Sequence, residues 1–130
     1  MHILIIVHDA ARRLYLRNNL TNENFTVSIT GDSWEGLKIV RKNKIDLIIS
    51  DLYMPNTNGF KLREAVQDIE GGTGIPFIFI SFEEDKAEKA RIDLMKDCAL
   101  VRRGSNTGEI LELIQELTSG SGEKTGSPEN

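Results

Sequence analysis

Apolar positions along this chain fall into short unbroken blocks separated by stretches of helical period. Residues 3–7 (Ile-Leu-Ile-Ile-Val) and 76–80 (Pro-Phe-Ile-Phe-Ile) carry no polar interruption, and a third block, 45–50, leads into Asp51. Runs of this length bounded by turn formers read as strands buried on both faces. Residues 25–29 alternate with period two and read as a strand with one better-covered face, and 99–101 is a short last strand. Between the blocks, helices are expected over 11–20 (anchored by Leu14, Leu16 and Leu20), 32–42, 59–69, and 83–97 (marked by Ala87, Ala90, Leu94 and Met95). A final helix over 106–117 shows Ile110, Leu113, Ile114 and Leu117 on one face. Asp32 with Glu35, and Asn106 with Glu109, have the spacing of capping boxes at helix starts. Glycine-rich 70–74 breaks the pattern. Repeated strand–helix alternation predicts an α/β fold, a doubly wound parallel sheet with helices on both faces.

Candidate chemistry gathers at the ends of the buried strands. Asp51 closes one apolar run and opens the turn 52–59, at the kind of strand end where open parallel sheets place ligands. Pro55 steers Met54 away from helical geometry, and Gly59 is free to take backbone angles that other residues resist. Asp9 sits just past the first strand. Two carboxylates at neighbouring strand ends make a site for a hard cation. Simple capping of a turn or helix is the competing role, and for Asp9 it stays open.

Composition narrows the function classes. A chain of 130 residues suits one domain, able to bury roughly two-thirds of its unfolded surface. Sixteen basic against twenty acidic side chains give a net charge of −4, which argues against direct contact with nucleic acid. Cys98 is the only cysteine, so an internal disulfide and a thiolate metal cluster are both excluded. No apolar run approaches the roughly 20 residues needed to cross a bilayer, and no signal-peptide pattern precedes the first strand, so a cytoplasmic location is expected. Residues 1–118 read as the folded domain. Residues 119–130 have nothing to bury and read as a flexible tail or the start of a linker.

The run D-x-x-M-P-x-x-x-G from Asp51 to Gly59, following an apolar strand, resembles the receiver domain of two-component response regulators. The resemblance extends from Met1 to about residue 117. That family carries an acidic pair after the first strand, a phosphoacceptor Asp after the third, Thr or Ser after the fourth and Lys-Pro after the fifth. Here those places hold His8-Asp9, Asp51, Ser81 and Arg103-Gly104. The resemblance implies a flavodoxin-like five-stranded sheet in the order 2-1-3-4-5. It also implies that Asp51 accepts a phosphoryl group from a histidine kinase or phosphotransfer protein and signals to a downstream protein target. Mg2+ would be held by Asp9, Asp51 and the backbone carbonyl of Tyr53, with Ser81 and Arg103 on the phosphoryl oxygens. Such a domain is a signalling module, assisting only its own phosphorylation and dephosphorylation.

Several positions depart from the family pattern. His8 replaces the first acid of the pair. It is either a loop histidine without a role or a group near the metal whose protonation would repel the cation. Arg103 keeps a positive charge with a planar fork; the bland alternative is a solvated arginine beside Arg102. Gly104 stands where a proline follows a cis bond in the family, and a trans bond is expected. Leu100 replaces the aromatic residue that relays the switch in many receivers, so output is expected through segments 82–86 and 103–107 instead. These departures keep a second class in play, a pseudo-receiver that binds partners without phosphate. A haloacid-dehalogenase-type phosphatase needs an Asp where Tyr53 stands, and a flavin or nucleotide binder would need a glycine-rich phosphate loop, which does not follow residues 3–7.

Overall fold

The computed structural model describes residues 1–82 and 86–119. In chain order the elements are β1 (His2–Ile6), α1 (Ala10–Asn22), β2 (Thr26–Thr30), α2 (Ser33–Lys42), β3 (Leu47–Asp51), β4 (Tyr53–Met54), β5 (Thr57–Asn58), α3 (Gly59–Gln67), β6 (Phe77–Ser81), α4 (Lys86–Asp93), β7 (Cys98–Arg102) and α5 (Thr107–Thr118). The five long strands pair in parallel in the order β2-β1-β3-β6-β7. Counted over those strands alone this is 2-1-3-4-5, the flavodoxin-like order expected.

Strand alternation divides the core between the two faces of the sheet. Ile3, Ile5 and Val7 join Leu47, Ile49, Ile78 and Ile80 under α1 and α5, where Leu16, Leu20, Ile110 and Ile114 close the layer. The intervening residues Leu4, Ile6, Ile48, Phe77 and Phe79 face α2, α3 and α4, meeting Val40, Leu62, Val66 and Ile92. Unbroken apolar runs are thus what a sheet covered on both sides requires.

Local differences from the sequence reading have physical causes. Leu14 is 43% exposed, because α1 meets the sheet through Leu16 and Leu20, one turn apart. The expected helix 83–97 is described only from Lys86 to Asp93, with 83–85 outside the described residues. Beyond Asp93 the turn tightens, with the N–H of Leu94 bonding Arg91 and that of Met95 bonding Ile92, and the helix stops. Ala87, Ala90 and Leu94, marked as apolar anchors, are exposed, while Ile92 is fully buried. The capping box at Asn106 and Glu109 forms. Asp32 caps α2 through the Trp34 N–H, but Glu35 accepts from the Thr30 hydroxyl, which itself takes the Asp32 N–H. Ser119 caps α5 through Gln115, and the rest of the expected tail, 120–130, lies outside the described residues.

The turn after Asp51 is more ordered than the sequence suggested. β4 and β5 form a small hairpin in which Met54 pairs with Thr57. Pro55 followed by Asn56 at φ 73° has the form of a tight turn with a positive-φ second position. Gly59 is needed for closeness and does not sit at positive φ. A Cβ there would lie 2.7 Å from the Phe79 ring and 3.0 Å from the Asp51 carbonyl.

Candidate functional site

Strand register levels the carboxyl ends of the central strands. Ile6 pairs with Ser50, Asp51 with Ile80, and Ile80 with Val101. Strand order reverses around β1 and β3, which opens the crevice where such sheets hold ligands. A cavity of about 250 Å³ lies there, with His8, Asp9, Arg12, Asp51, Tyr53 and Arg103 among its walls. The residues singled out from sequence therefore converge, Ser81 excepted.

Asp51 ends β3 and is half-buried. Its Oδ2 accepts the main-chain N–H of His8 at 2.8 Å, tying the end of β1 to the end of β3. Burial pushes its carboxyl above the ordinary range, opposed by the His8 N–H and then by the Arg103 charge, while the nearby Asp9 charge adds to the rise. Asp9 is exposed and does cap α1, accepting from the Arg12 N–H at 3.0 Å. Its Oδ2 also lies 3.5 Å from the Arg103 guanidinium. Capping and the carboxylate role are thus compatible at this residue.

Arg103 turns into the cavity; it is not a purely solvated neighbour of Arg102. Its N–H bonds the Ser81 carbonyl at 2.6 Å, and its guanidinium stacks over the Phe82 ring at 4.6 Å while reaching Asp9. Ser81 is buried at the end of β6, between the wall residues Ile80 and Phe82, and is not itself part of the wall. Gly104 has φ 97° with open space around it, and no cis peptide bond occurs among the described residues. Leu100 is half-buried and lines a separate open cavity of about 500 Å³ beside β7 and α5.

Three contributions escaped the sequence reading. His8 acts through its backbone N–H, which no side-chain pattern reveals. Arg13 donates to the carbonyls of Val7 at 2.8 Å and His8 at 3.1 Å, clamping the loop that presents that N–H. It passes so close to Gly31 that a Cβ there would lie 2.5 Å from its Nη1. Arg12 lines the cavity, although an arginine in the first turn of a polar helix reads as solvated.

The donor set fits a hard divalent cation. Among the described residues no three His, Cys, Asp or Glu side chains gather into a metal-binding group. A cation would instead rest on two carboxylates, a backbone carbonyl and water, the arrangement Mg2+ favours. Burial is the main cause of the raised Asp51 carboxyl and the Asp9 charge adds a smaller push; a cation beside both carboxylates would offset each. Tyr53 sits at a pair in the β4–β5 ladder where the flanking Leu52 carbonyl takes the Gly59 N–H at 2.7 Å. Alternation along an antiparallel ladder turns the Tyr53 carbonyl away from β5.

A model of the response regulator receiver domain family matches residues 3–100. The chain is 25% identical over 116 residues to the probable transcriptional regulator ycf29 of Porphyra purpurea, covering 89% of this chain and 56% of that protein. It therefore spans about half the length of that relative. Among solved structures, it superposes with TM-score 0.79 on the receiver domain of the Pseudomonas aeruginosa sensor histidine kinase PA1611, which holds magnesium in its active-site cleft; identity is 13%, covering 92% of this chain and 98% of that one. The receiver domain of Saccharomyces cerevisiae Ssk1, solved with the histidine phosphotransfer protein Ypd1, gives TM-score 0.78 at 16% identity, covering 92% of this chain and 94% of that one. Among the described residues no helix is long and apolar enough to cross a membrane.

Proposed function

Because the chain belongs to the response regulator receiver domain family, we propose that it is a phosphorylation-dependent switch whose acceptor is Asp51. The observation that carries this reading is the half-buried Asp51 carboxylate, held by the His8 N–H inside a cavity shared with Asp9 and Arg103. One oxygen of Asp51 is fixed by that hydrogen bond, leaving Oδ1 as the nucleophile. An Oδ1 lone pair attacks phosphorus of a phosphohistidine, forming the acyl phosphate. The P–N bond breaks with its electron pair returning to the imidazole nitrogen. Catalysis here is chiefly positioning and charge neutralisation. Arg103 would swing from Asp9 onto a phosphoryl oxygen, exchanging one anion for another. Ser81 would donate its hydroxyl after a small shift at the end of β6. Mg2+, when bound at Asp9, Asp51 and the Tyr53 carbonyl, would supply further neutralisation of the transferred oxygens.

The donor would be a histidine kinase or a phosphotransfer protein, consistent with the Ypd1 complex of a structural neighbour. The receiver unit would span residues 1–118, acting in the cytoplasm through a downstream protein and not on a separate substrate. Incubation with acetyl phosphate and Mg2+, followed by intact-mass measurement, tests the reading. It should add one phosphoryl group to the wild type and none to Asp51→Asn. A wild type that accepts nothing would favour a pseudo-receiver that binds its partner without phosphate.

A further inference from the structure

Arg12 poses a question that the acceptor reading leaves open. Its Nε and Nη2 are shielded from solvent, yet neither has a hydrogen-bond partner. Buried donors in native proteins are almost always satisfied, and an orphaned one points to a partner outside the chain or to function. Only one other such nitrogen occurs among the described residues, Arg63 Nε, and that guanidinium retains the Lys96 carbonyl through Nη2 at 3.4 Å. The Arg12 guanidinium has the Tyr15 ring at 5.4 Å and forms part of the wall of the Asp51 cavity. Its backbone is fixed as well, since the Arg12 N–H is the one that Asp9 caps. A cationic fork with unused, shielded donors is therefore carried by a backbone-anchored residue of the acceptor-site wall, within a side-chain turn of the cavity.

We propose that Arg12 is a phosphoryl-binding residue, its Nε and Nη2 donating to the oxygens of the group carried by Asp51. The inference rests on Asp51 being the acceptor. The chemistry matches: a guanidinium edge presents parallel N–H donors at the spacing of two phosphoryl oxygens. Charge counting agrees. In the resting site Asp9 and Asp51 face Arg103, which is already shared between Asp9 and the Phe82 ring. Phosphorylation adds anionic oxygens, and Arg12 is a second cation in the wall whose shielded Nε and Nη2 are uncommitted. Arg12 and Arg103, both in the cavity wall, would then share the group.

The test is calorimetric titration of beryllofluoride, with Mg2+ present, into the full chain and into Arg12→Met, Arg12→Lys and Asp51→Asn. The thermal midpoint of each is recorded without ligand. Loss of a charge-assisted hydrogen bond should weaken binding by Arg12→Met about tenfold or more. Arg12→Lys should recover part of it. The unliganded midpoint of Arg12→Met should equal or exceed that of the wild type, because two shielded donors without hydrogen-bond partners have been replaced by an apolar chain of similar length. A merely structural arginine gives the reverse, a lower midpoint, and that result overturns the inference. Unchanged affinity in Arg12→Met, with Asp51→Asn unable to bind, overturns it while leaving the acceptor reading intact. If the wild type takes up no beryllofluoride, or Asp51→Asn takes it up equally, the acceptor reading falls and the role of Arg12 falls with it.

Discussion

Burial holds the Asp51 carboxyl above its ordinary value of 3.8, and the His8 N–H and Arg103 only partly offset it. The folded state therefore binds this proton more tightly than the unfolded chain does. The stability linked to Asp51 is fully present below the ordinary value and is lost as pH rises from there through the raised folded value. Asp51→Asn should consequently be more stable than the wild type near neutral pH, with the advantage shrinking as pH falls through the carboxylate range. Paired thermal melts across acidic pH check this, and an advantage that grows on acidification would contradict it. Gly59 is the second residue whose environment makes a sharp statement. Its missing side chain lets Phe79 and the Asp51 carbonyl approach. Gly59→Ala should cost about 1–3 kcal/mol by overpacking and slow phosphorylation by displacing Asp51. In Gly31→Ala the new Cβ would press on the Arg13 guanidinium, the end of a long side chain that can give way, so it should unclamp the His8 loop at a smaller cost, about 1 kcal/mol, measurable by denaturant titration.

Among the elements, α4 departs most from its sequence pattern. It carries one fully buried side chain, Ile92, while Leu94 just beyond its end is 89% exposed. Ile92→Ala should cost about 2–4 kcal/mol, whereas Leu94→Ala should change stability by less than about 0.5 kcal/mol. Equal costs in chemical denaturation would show that α4 packs differently. A helix held by so few buried groups is easily biased between positions, which suits an element that reports on the site. The β4–β5 hairpin is its opposite number. It is short, but Pro55 and the left-handed Asn56 set its turn, and it carries Tyr53 across to α4.

For the whole molecule, that crossing supplies a route from site to surface. Tyr53 lines the Asp51 cavity, and its hydroxyl donates to the Glu88 carboxylate on α4. Leu100 offers no ring to swing and no hydroxyl to bond, so in a phosphorylation-dependent switch a coupling through Tyr53 and Glu88 would take the place of an aromatic relay. A ligand shifts an equilibrium only through contacts that differ between the two states. The Tyr53–Glu88 bond is such a contact if a cation draws on the Tyr53 carbonyl. Amide exchange with and without beryllofluoride should therefore show altered protection over α4 in the wild type and a diminished change in Tyr53→Phe. Protection changes confined to the surroundings of Leu100 in both proteins would refute this coupling.

Some of this was legible in the chain itself. Period-two and unbroken apolar runs depend only on which faces of a strand are covered, so the parallel sheet and its core were readable from residues 3–7, 47–49 and 77–80. Asp9 and Asp51 were readable as candidates because strand ends follow from the same pattern, Arg103 only through the family resemblance, and the cap at Asn106 because it is local. Tertiary structure alone decided the rest. The His8 N–H on Asp51 spans 43 residues of sequence and involves no distinctive side chain. Whether Leu14, Leu94 or Ile92 is buried depends on how each helix lies on the sheet, which helical period does not specify. The Arg13 clamp beside Gly31 and the orphaned donors of Arg12 exist only once loops from separate strands meet. Local periodicity encodes which residues turn inward; the partners they find there depend on contacts between segments distant in sequence.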